Sequence, residues 1–319
     1  MMTYIYTIII ILTLTYVLDK LKTKFLPDEE LGYNDLINKH LLGHNGVSDN
    51  RPIIWVHREH SKNDIRADRF NSRKNKNINK AYINCCLESI LKNCGESFRI
   101  CIIDDNSFKT LLPTWKISIN DFGDPIKKHI RYLAMAKLLY KYGGMQIPES
   151  TLVLKDLNAL YNDNISIKGC FIGNKLSKCK DGNIPISPDN NILACKKDCS
   201  VIGDYICYLE QLNSTDHSDN IRFNCKIEHY FSKRIFENKI TNIDGEYFGI
   251  KDKDGNKVSL DDLMEEKFID FHENIFAISI PNKELLSRTQ YGWFLRLPKE
   301  QLLESPNILS KHLLLSQNS

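Results

Sequence analysis

Residues 126–144, with the sequence IKKHIRYLAMAKLLYKYGG, form the stretch on which the interpretation of the whole chain depends. Asp124 and Pro125 come directly before it, as an N-cap residue followed by the proline that helices favour at their first position. Apolar residues recur at helical spacing, at Ile126, Ile130, Leu133, Ala134 and Leu138. We therefore expect a helix that ends at Tyr142, before the glycine pair, and a strand at residues 151–154.

Two apolar runs upstream predict strands with a helix between them. Residues 52–56 (PIIWV) and 98–104 (FRICIID) are short and apolar enough for buried strands. Residues 81–93 have helical spacing, and Gly95 follows as a C-terminal glycine. This order predicts a right-handed parallel unit, and hence an α/β fold with a mostly parallel sheet. Because ICIID (100–104) is apolar on both faces, we expect it to be a central strand.

The rest of the chain predicts further elements of the same kind. They are short strands at 169–173 and 190–195, a helix at 201–212, and a hairpin at 246–260 that turns at Asp254-Gly255. On this basis the main domain covers residues 51–240, and residues 241–319 form a C-terminal hairpin and tail that pack on it. The polar stretch at 57–80 is too long for a tight turn and predicts a surface or functional loop.

The composition is that of an ordinary globular protein of one large domain or two. Of its 319 residues 42% are hydrophobic and 26% charged, and 43 basic against 40 acidic residues leave a net charge of +3. Because basic and acidic residues are nearly equal in number, the protein has no broad positive electrostatic field, and nucleic-acid binding is not expected. The ten cysteines include no C-x-x-C pair. They predict free thiols in a reducing compartment and no metal site.

The N-terminal segment predicts a membrane anchor. Residues 1–18 contain no charged side chain, and as a helix they would span about 27 Å, enough for a thin bilayer. The alternative, a cleaved signal peptide, needs a basic start and a small-residue cleavage site, which this segment lacks. We expect an uncleaved transmembrane helix within residues 1–22, in contact with membrane lipid, and a tether at residues 23–50.

The residues that flank this segment predict its orientation. Lys20, Lys22 and Lys24 follow the apolar run, so the positive-inside rule places the C-terminal domain in the cytosol. The sequons at Asn164 and Asn213 would then not meet the glycosylation machinery. The expectation is a single-pass membrane protein with a cytosolic domain.

Four segments, taken in order, resemble a known family. PIIWVH (52–57), ICIIDDNSF (100–108), IRYLAMAKLLYKYGG (130–144) and TLVLKDL (151–157) follow one another as in capsular-polysaccharide-synthesis and DXD-sugar glycosyltransferases. They resemble more closely a glycosyltransferase-like membrane protein family of large nucleocytoplasmic DNA viruses. The resemblance covers residues 52–212, and LLYKYGG is its most specific part. It implies a GT-A fold, which is a Rossmann-like nucleotide-sugar domain.

The resemblance also implies a metal site, and this sequence departs from it. In active members an Asp follows the glycine pair after three residues, in a D-x-D-type motif that holds a divalent metal. Here the two Asp positions are Pro148 and Ser150. The Asp and Arg that active members carry on the preceding helix are replaced by Tyr132 and Met135. We therefore assign no catalytic residue and no metal ligand, and we expect no cofactor.

If the protein is active, the resemblance implies a nucleotide-sugar site with Mn²⁺ or Mg²⁺. Its candidate residues are His57, Asp104, Asp105, Arg131, Gly143, Gly144 and Glu149. Local alternatives exist for some of them. DDNS (104–107) is also a turn sequence, and on an extended strand Glu149 would point opposite to Pro148.

Three functions remain open at this point. We expect a membrane-anchored, glycosyltransferase-like protein of a large DNA virus that has lost catalysis and serves binding or assembly at a virion membrane, with viral structural proteins as candidate partners. The alternative is an active glycosyltransferase that uses a nucleotide-diphosphate sugar without metal, through the helix cations Lys127, Lys128, His129 and Lys141. The third is a scaffold that uses the same sheet for protein contacts.

Overall fold

The computed structural model describes residues 51–58, 80–177, 185–215 and 220–318. In these ranges the strands are β1 (Ile53–His57), β2 (Arg99–Ile103), β3 (Gly144–Pro148), β4 (Thr151–Val153), β5 (Cys170–Leu176), β6 (Ile186–Cys195), β7 (Thr241–Asn242) and β8 (Ala277–Ser279). The α-helices are α1 (Ala81–Cys94), α2 (Ser107–Leu111), α3 (Ile126–Tyr142), α4 (Asn158–Lys168), α5 (Ser200–Thr215), α6 (Asn220–Phe236), α7 (Leu260–Met264), α8 (Asn282–Ser287), α9 (Lys299–Glu304) and α10 (Ile308–Asn318).

Six of these strands form the central sheet, in the order β2-β1-β3-β6-β5-β7. β1 runs parallel to both β2 and β3, and β5 runs parallel to β7. β6 is antiparallel to both of its neighbours, β3 and β5. Three of the five pairings are therefore parallel. The prediction of a mixed α/β fold with a mainly parallel central sheet is confirmed.

The position of β2 in the sheet differs from the prediction. Residues 100–103 are buried, yet β2 stands first in the strand order and, among the described residues, pairs with β1 alone. The prediction that ICIID is a central strand is wrong. Apolar side chains on both faces of a strand show that other elements pack above and below it. They do not show whether the strand pairs with another strand on one side or on both sides within the sheet.

The predicted helices and strands of residues 51–154 are found with shifts of one or two residues. Gly95 follows α1 at the C-cap position, as predicted, but with a right-handed φ of −66°, and its N–H donates to the Leu91 carbonyl. The prediction that Asp124 is the N-cap residue of α3 is wrong, because Pro125 occupies that position. The Asp124 carboxylate instead lies 3.6 Å from Lys128 Nζ.

The predicted hairpin at 246–260 is reduced to an isolated antiparallel bridge between Lys251 and Lys257. Asp252 organises the turn, because its carboxylate accepts hydrogen bonds from the backbone N–H groups of Asp254 and Asn256. The ladder does not extend further because the preceding residues, Gly245–Phe248, form a 3-10 helix.

The C-terminal segment packs against the first half of the chain. β8 pairs antiparallel with β4 in a second, two-stranded sheet. Lys299 Nζ of α9 lies 2.7 Å from the carboxylate of Glu88 on α1, and Lys92 Nζ donates to the Gln317 carbonyl at 3.0 Å. The described residues belong to one compact unit.

The predicted anchor (1–22), the tether (23–50) and most of the polar loop (57–80) lie outside the described residues. Among the helices that the structure describes, none combines the length and the apolar character that crossing a membrane requires.

The glycine pair after α3 is required by the backbone. Gly143 and Gly144 have φ angles of +71° and +99°, which favour glycine. A Cβ atom on Gly144 would lie 2.3 Å from the carbonyl oxygen of Ile53, on the neighbouring strand β1. Trp55 Nε1 donates to the Gly143 carbonyl at 2.9 Å. The pair therefore allows α3 to lead directly into β3 beside β1.

Gly144→Ala is expected to lower the free energy of unfolding by about 3 kcal/mol, because it combines a positive φ with a backbone clash. Gly123→Ala is the matched control, since a Cβ atom at Gly123 meets no atom within 4 Å. Chemical denaturation followed by circular dichroism measures both variants. Equal stability of the two variants would show that β3 does not approach β1 as described.

Candidate functional site

Three strand ends meet at one edge of the sheet. His57, at the end of β1, lies opposite Ile103 of β2 and Pro148 of β3 in the register of the parallel strands. Asp104 and Asp105 directly follow β2. Ligands of open α/β sheets bind outside the carboxyl ends of the strands. We call this edge the carboxyl edge, and it is the candidate functional site.

Asp105 is the centre of an ion-pair network at the carboxyl edge. Arg131 donates from Nε and Nη2 to the two carboxylate oxygens of Asp105, at 2.7 Å each. Lys127 Nζ lies 3.2 Å and His57 Nε2 lies 3.1 Å from the same carboxylate. The Asp105 side chain is only 10% exposed. Such a buried charge requires close partners, and here one carboxylate has three.

The network keeps Asp105 ionised. Burial alone would raise the pKa of Asp105, but hydrogen bonds from His57 and Arg131 outweigh burial and hold that pKa well below its usual range. A metal ion could reach the carboxylate only by displacing at least one of these donors. The network therefore competes with metal binding at this position.

Three elements hold the partners of Asp105 in place. Lys127 and Arg131 are four residues apart on α3, so their side chains leave the same face of that helix. The His57 ring stacks on Phe108 of α2, with 5.6 Å between centroids and 9° between planes. The site is thus built by β1, α2 and α3 around the residue that follows β2.

Asp104 has a different role from its neighbour. Its carboxylate accepts hydrogen bonds from the backbone N–H groups of Asn106 and Ser107, at 3.1 and 2.8 Å, and from Ser107 Oγ at 2.6 Å. These bonds shape the turn that leads into α2. The turn interpretation of DDNS therefore holds for Asp104, whereas Asp105 belongs to the ion-pair network.

The positions where the resemblance places a metal motif carry no carboxylate. Pro148 ends β3 and offers no side-chain ligand, and Ser150 Oγ donates to the Ile280 carbonyl at 2.9 Å. Glu149, between them, is buried. Across the described ranges, no three His, Cys, Asp or Glu side chains are grouped so that they could hold a metal ion. The described residues at this edge therefore do not fit the divalent metal of active members.

The structure brings together three of the predicted nucleotide-sugar residues: His57, Asp105 and Arg131. Gly143 and Gly144 lie at the amino-terminal end of β3, the opposite edge of the sheet, where they shape the backbone. The two residues that replace the helix Asp and Arg, Tyr132 and Met135, are buried in the core. Binding by the seven predicted residues stays a prediction.

A second polar cluster, which the sequence does not predict, lies at the same edge. Because β6 runs antiparallel to β3, the first half of β6 extends past the carboxyl end of β3. Lys175 Nζ of β5 lies 3.9 Å from Asp189 of β6 and 3.0 Å from Glu228 of α6. Burial alone would lower the pKa of Lys175, but the two carboxylates outweigh burial and raise it. The only local signal for this cluster is the polar run DNN (189–191) inside a strand.

Comparison with known proteins finds similarity only among solved structures. No protein-family model and no curated protein matches this chain. Among the solved structures that match is PaToxG Glycosyltransferase, which is 13% identical; the match covers 70% of this chain and 79% of that chain, with a TM-score of 0.35. This weak structural neighbour is a glycosyltransferase, and a likeness so distant carries no argument about the present chain.

Asp105→Asn removes the negative charge of the network and keeps the shape of the side chain. We expect it to lower the free energy of unfolding by about 3 kcal/mol near neutral pH, because buried Arg131 loses its counter-charge. Asp124→Asn is the control, since it removes an exposed carboxylate that pairs with Lys128, at an expected cost below about 0.5 kcal/mol. Urea denaturation measures both.

The cost of Asp105→Asn should also depend on pH. Folding lowers the pKa of Asp105, so the stabilisation is fully present above the unfolded-state pKa of about 3.9 and is lost as the pH falls below it. The difference between wild type and variant should still be present at about pH 5 and should shrink below about pH 4. A difference that stays undiminished at about pH 3 would contradict the network.

Proposed function

We propose that this chain is a glycosyltransferase-like protein with a GT-A-type domain that binds a nucleotide-diphosphate sugar without metal and does not transfer the sugar. The observation that best supports this proposal is that cationic side chains surround the Asp105 carboxylate. Its two oxygens accept both bonds of Arg131, and Lys127 and His57 lie against the same carboxylate. The Asp105 carboxylate is therefore engaged by cations, and Pro148 supplies no replacement.

The charge of the network favours an anionic ligand. Within the network two cations, Lys127 and Arg131, face the single carboxylate of Asp105, although Asp104 and Glu149 add negative charge to the same edge. Arg131 is held in two hydrogen bonds to Asp105, whereas the Lys127 side chain is 21% exposed. Lys127 is therefore the cation that a diphosphate group at the carboxyl edge would contact, with a charge-assisted hydrogen bond.

The absence of transfer follows from the chemistry of the leaving group. A departing nucleoside diphosphate develops negative charge, which a bound metal neutralises in active members. Loss of a single stabilising donor typically reduces kcat by about 10²- to 10³-fold, and a metal contributes more than one donor. Lys127 alone cannot replace it, because it already faces Asp105.

A second candidate function is metal-independent transfer. The observation that favours it is the presence of two cations, Lys127 and Arg131, at the carboxyl edge, which could stabilise a departing diphosphate in place of a metal. The two candidate functions use the same ligand and differ only in whether the sugar is transferred from the nucleoside diphosphate.

Membrane attachment is part of the proposal. The uncharged run at 1–18 and the lysines Lys20, Lys22 and Lys24 support a single-pass anchor with the domain in the cytosol. A binding role close to a membrane, such as a virion membrane in which viral structural proteins are the partners, agrees with a domain that retains a ligand site without turnover.

Binding should be independent of metal and should depend on Lys127. Isothermal titration of UDP- and GDP-sugars is expected to give the same Kd with manganese, with magnesium and with a chelator. Lys127→Ala should weaken binding about tenfold, because it removes one charge-assisted hydrogen bond. Lys128→Ala is the matched control, since Lys128 is the next residue and pairs with Asp124. Binding that requires metal, or equal effects of the two variants, would overturn the proposal.

Turnover should be absent. We expect no release of free nucleoside diphosphate from UDP- or GDP-sugars above the no-protein background, with either metal present. Pro148→Asp should not restore it, because Tyr132, Met135 and Ser150 still replace the other polar groups of active members. Turnover that persists with a chelator and that Asp105→Asn abolishes, in a variant shown to be folded by circular dichroism, would establish the metal-independent enzyme instead.

A further inference from the structure

Helix α6 packs on the domain with one face and exposes the other. Phe223, Ile227 and Phe231 are buried on the inner face, and their spacing of four residues is that of one side of a helix. The Phe231 ring contacts Tyr205 of α5, with 4.6 Å between centroids. This packing fixes which side chains of α6 lie at the surface.

A row of basic residues runs along the exposed face of α6. Its members follow one another at spacings of four, three and four residues, so they lie in one line along the helix. They are Arg222, Lys226, His229 and Lys233. The acidic residue of this helix, Glu228, lies 3.0 Å from Lys175 of β5, under the helix. Asp216 and Asp219 precede the helix and lie outside the described residues.

Two apolar residues are strongly exposed beside the basic row. Phe236 is 91% exposed and Ile221 is 59% exposed. At 3.6 residues per turn both lie on the same side of the row, and the exposed Cys225 lies between them. We call the basic row together with these three residues the outer face of α6. It is therefore amphipathic at the surface, with cations on one side and apolar groups on the other.

The acidic residues that border the outer face of α6 are engaged by other cations. Glu237 lies 2.9 Å from Arg234 and 3.0 Å from Lys239, and Asp204 of α5 lies 3.6 Å from Arg234. Lys233 is 4.0 Å from Glu237, and its side chain is 66% exposed. Among the described residues, the outer face itself carries cations and no carboxylate.

We propose that the outer face of α6 binds the surface of a membrane that contains anionic lipids. Arg222, Lys226 and Lys233 would contact the lipid phosphates, and each cation near such a surface adds to binding. Ile221 and Phe236 would enter the boundary between headgroups and acyl chains, as the apolar side of an interfacial helix does. A nucleic acid or an acidic peptide would match the cations, but its charged groups offer no apolar environment to the two apolar side chains.

This inference rests neither on nucleotide-sugar binding nor on the predicted anchor. The uncharged run at residues 1–18 agrees with it, because an anchor would keep the domain close to a bilayer. The anchor predicts attachment to any bilayer, whereas the outer face of α6 predicts a contact that requires anionic lipid. The two therefore fail separately.

The test measures how fast single lysines of the full chain react with acetic anhydride on vesicles. The vesicles contain phosphatidylcholine alone or phosphatidylcholine with phosphatidylglycerol, neither of which has an amine. Chymotryptic peptides 224–230 and 232–236 each hold one lysine, Lys226 and Lys233. We expect both to react about fivefold more slowly when phosphatidylglycerol is present, because the headgroups cover them. The exposed Lys109 of α2 should react equally on both vesicles.

Two matched double variants separate the outer face of α6 from overall charge. Arg222→Gln with Lys233→Gln should return Lys226 to its rate on phosphatidylcholine, because loss of two cations weakens binding about 25-fold. Lys109→Gln with Lys116→Gln removes the same charge from other exposed positions and should leave Lys226 protected. Circular dichroism checks that both variants fold, and the wild-type rates decide the matter if one does not.

Equal rates of Lys226 and Lys233 on the two kinds of vesicle would overturn the proposal. Phe236→Ser should also accelerate labelling of Lys226 on phosphatidylglycerol, and an unchanged rate would overturn the assignment to a bilayer. Protection of the two lysines by duplex DNA or by polyglutamate, with none by the vesicles, would assign the outer face of α6 to a different class of partner and would overturn it as well.

Discussion

The buried ion pair between Asp105 and Arg131 is the interaction on which the candidate site depends. A carboxylate that is 10% exposed must be compensated, and the compensation comes from α3 through Arg131 and Lys127 and from β1 through His57. Breaking a buried pair leaves an uncompensated charge, which costs far more than the pair itself contributes. The pair therefore fixes how α3 lies over the ends of β1 and β2.

The same pair determines the chemistry of the carboxyl edge. A carboxylate that holds an arginine in two hydrogen bonds is a poor ligand for a divalent metal, because the metal must first displace the arginine. With Pro148 and Ser150 at the positions of the metal motif, the edge offers an anionic ligand the cation Lys127, and no group of acidic, His or Cys side chains among the described residues could hold a metal ion. Such an edge is suited to hold an anionic ligand and poorly suited to assist its cleavage.

Local sequence patterns predicted the helices and strands around the candidate site. The features that the sequence did not predict depend on contacts between residues that are far apart in the chain. Helical spacing and the glycine pair located α3, and the strand–helix–strand order predicted the parallel unit. The strand β3, which begins at Gly144, was not predicted. The edge position of β2 depends on hydrogen bonds across the sheet, which its own side chains do not encode. Asp104 and Asp105 have different roles because Arg131 of α3 pairs with Asp105, whereas Asp104 accepts a hydrogen bond from the Ser107 N–H. No spacing in the sequence predicts the contact between Arg131 and the end of β2. The Lys175 cluster brings together side chains of β5, β6 and α6, which are far apart in the sequence. Its only signal in the sequence is the polar run at residues 189–191.

The central claim is that the carboxyl edge accepts a nucleotide-diphosphate sugar without a metal ion. Electron paramagnetic resonance of Mn²⁺ tests this claim directly, because binding to a protein broadens the sharp spectrum of the hydrated ion. In the presence of the full chain and a UDP-sugar, we predict the spectrum that manganese and the UDP-sugar give alone. A broadened signal that requires the protein, and that Asp105→Asn removes, would place the metal on Asp105 and contradict the account.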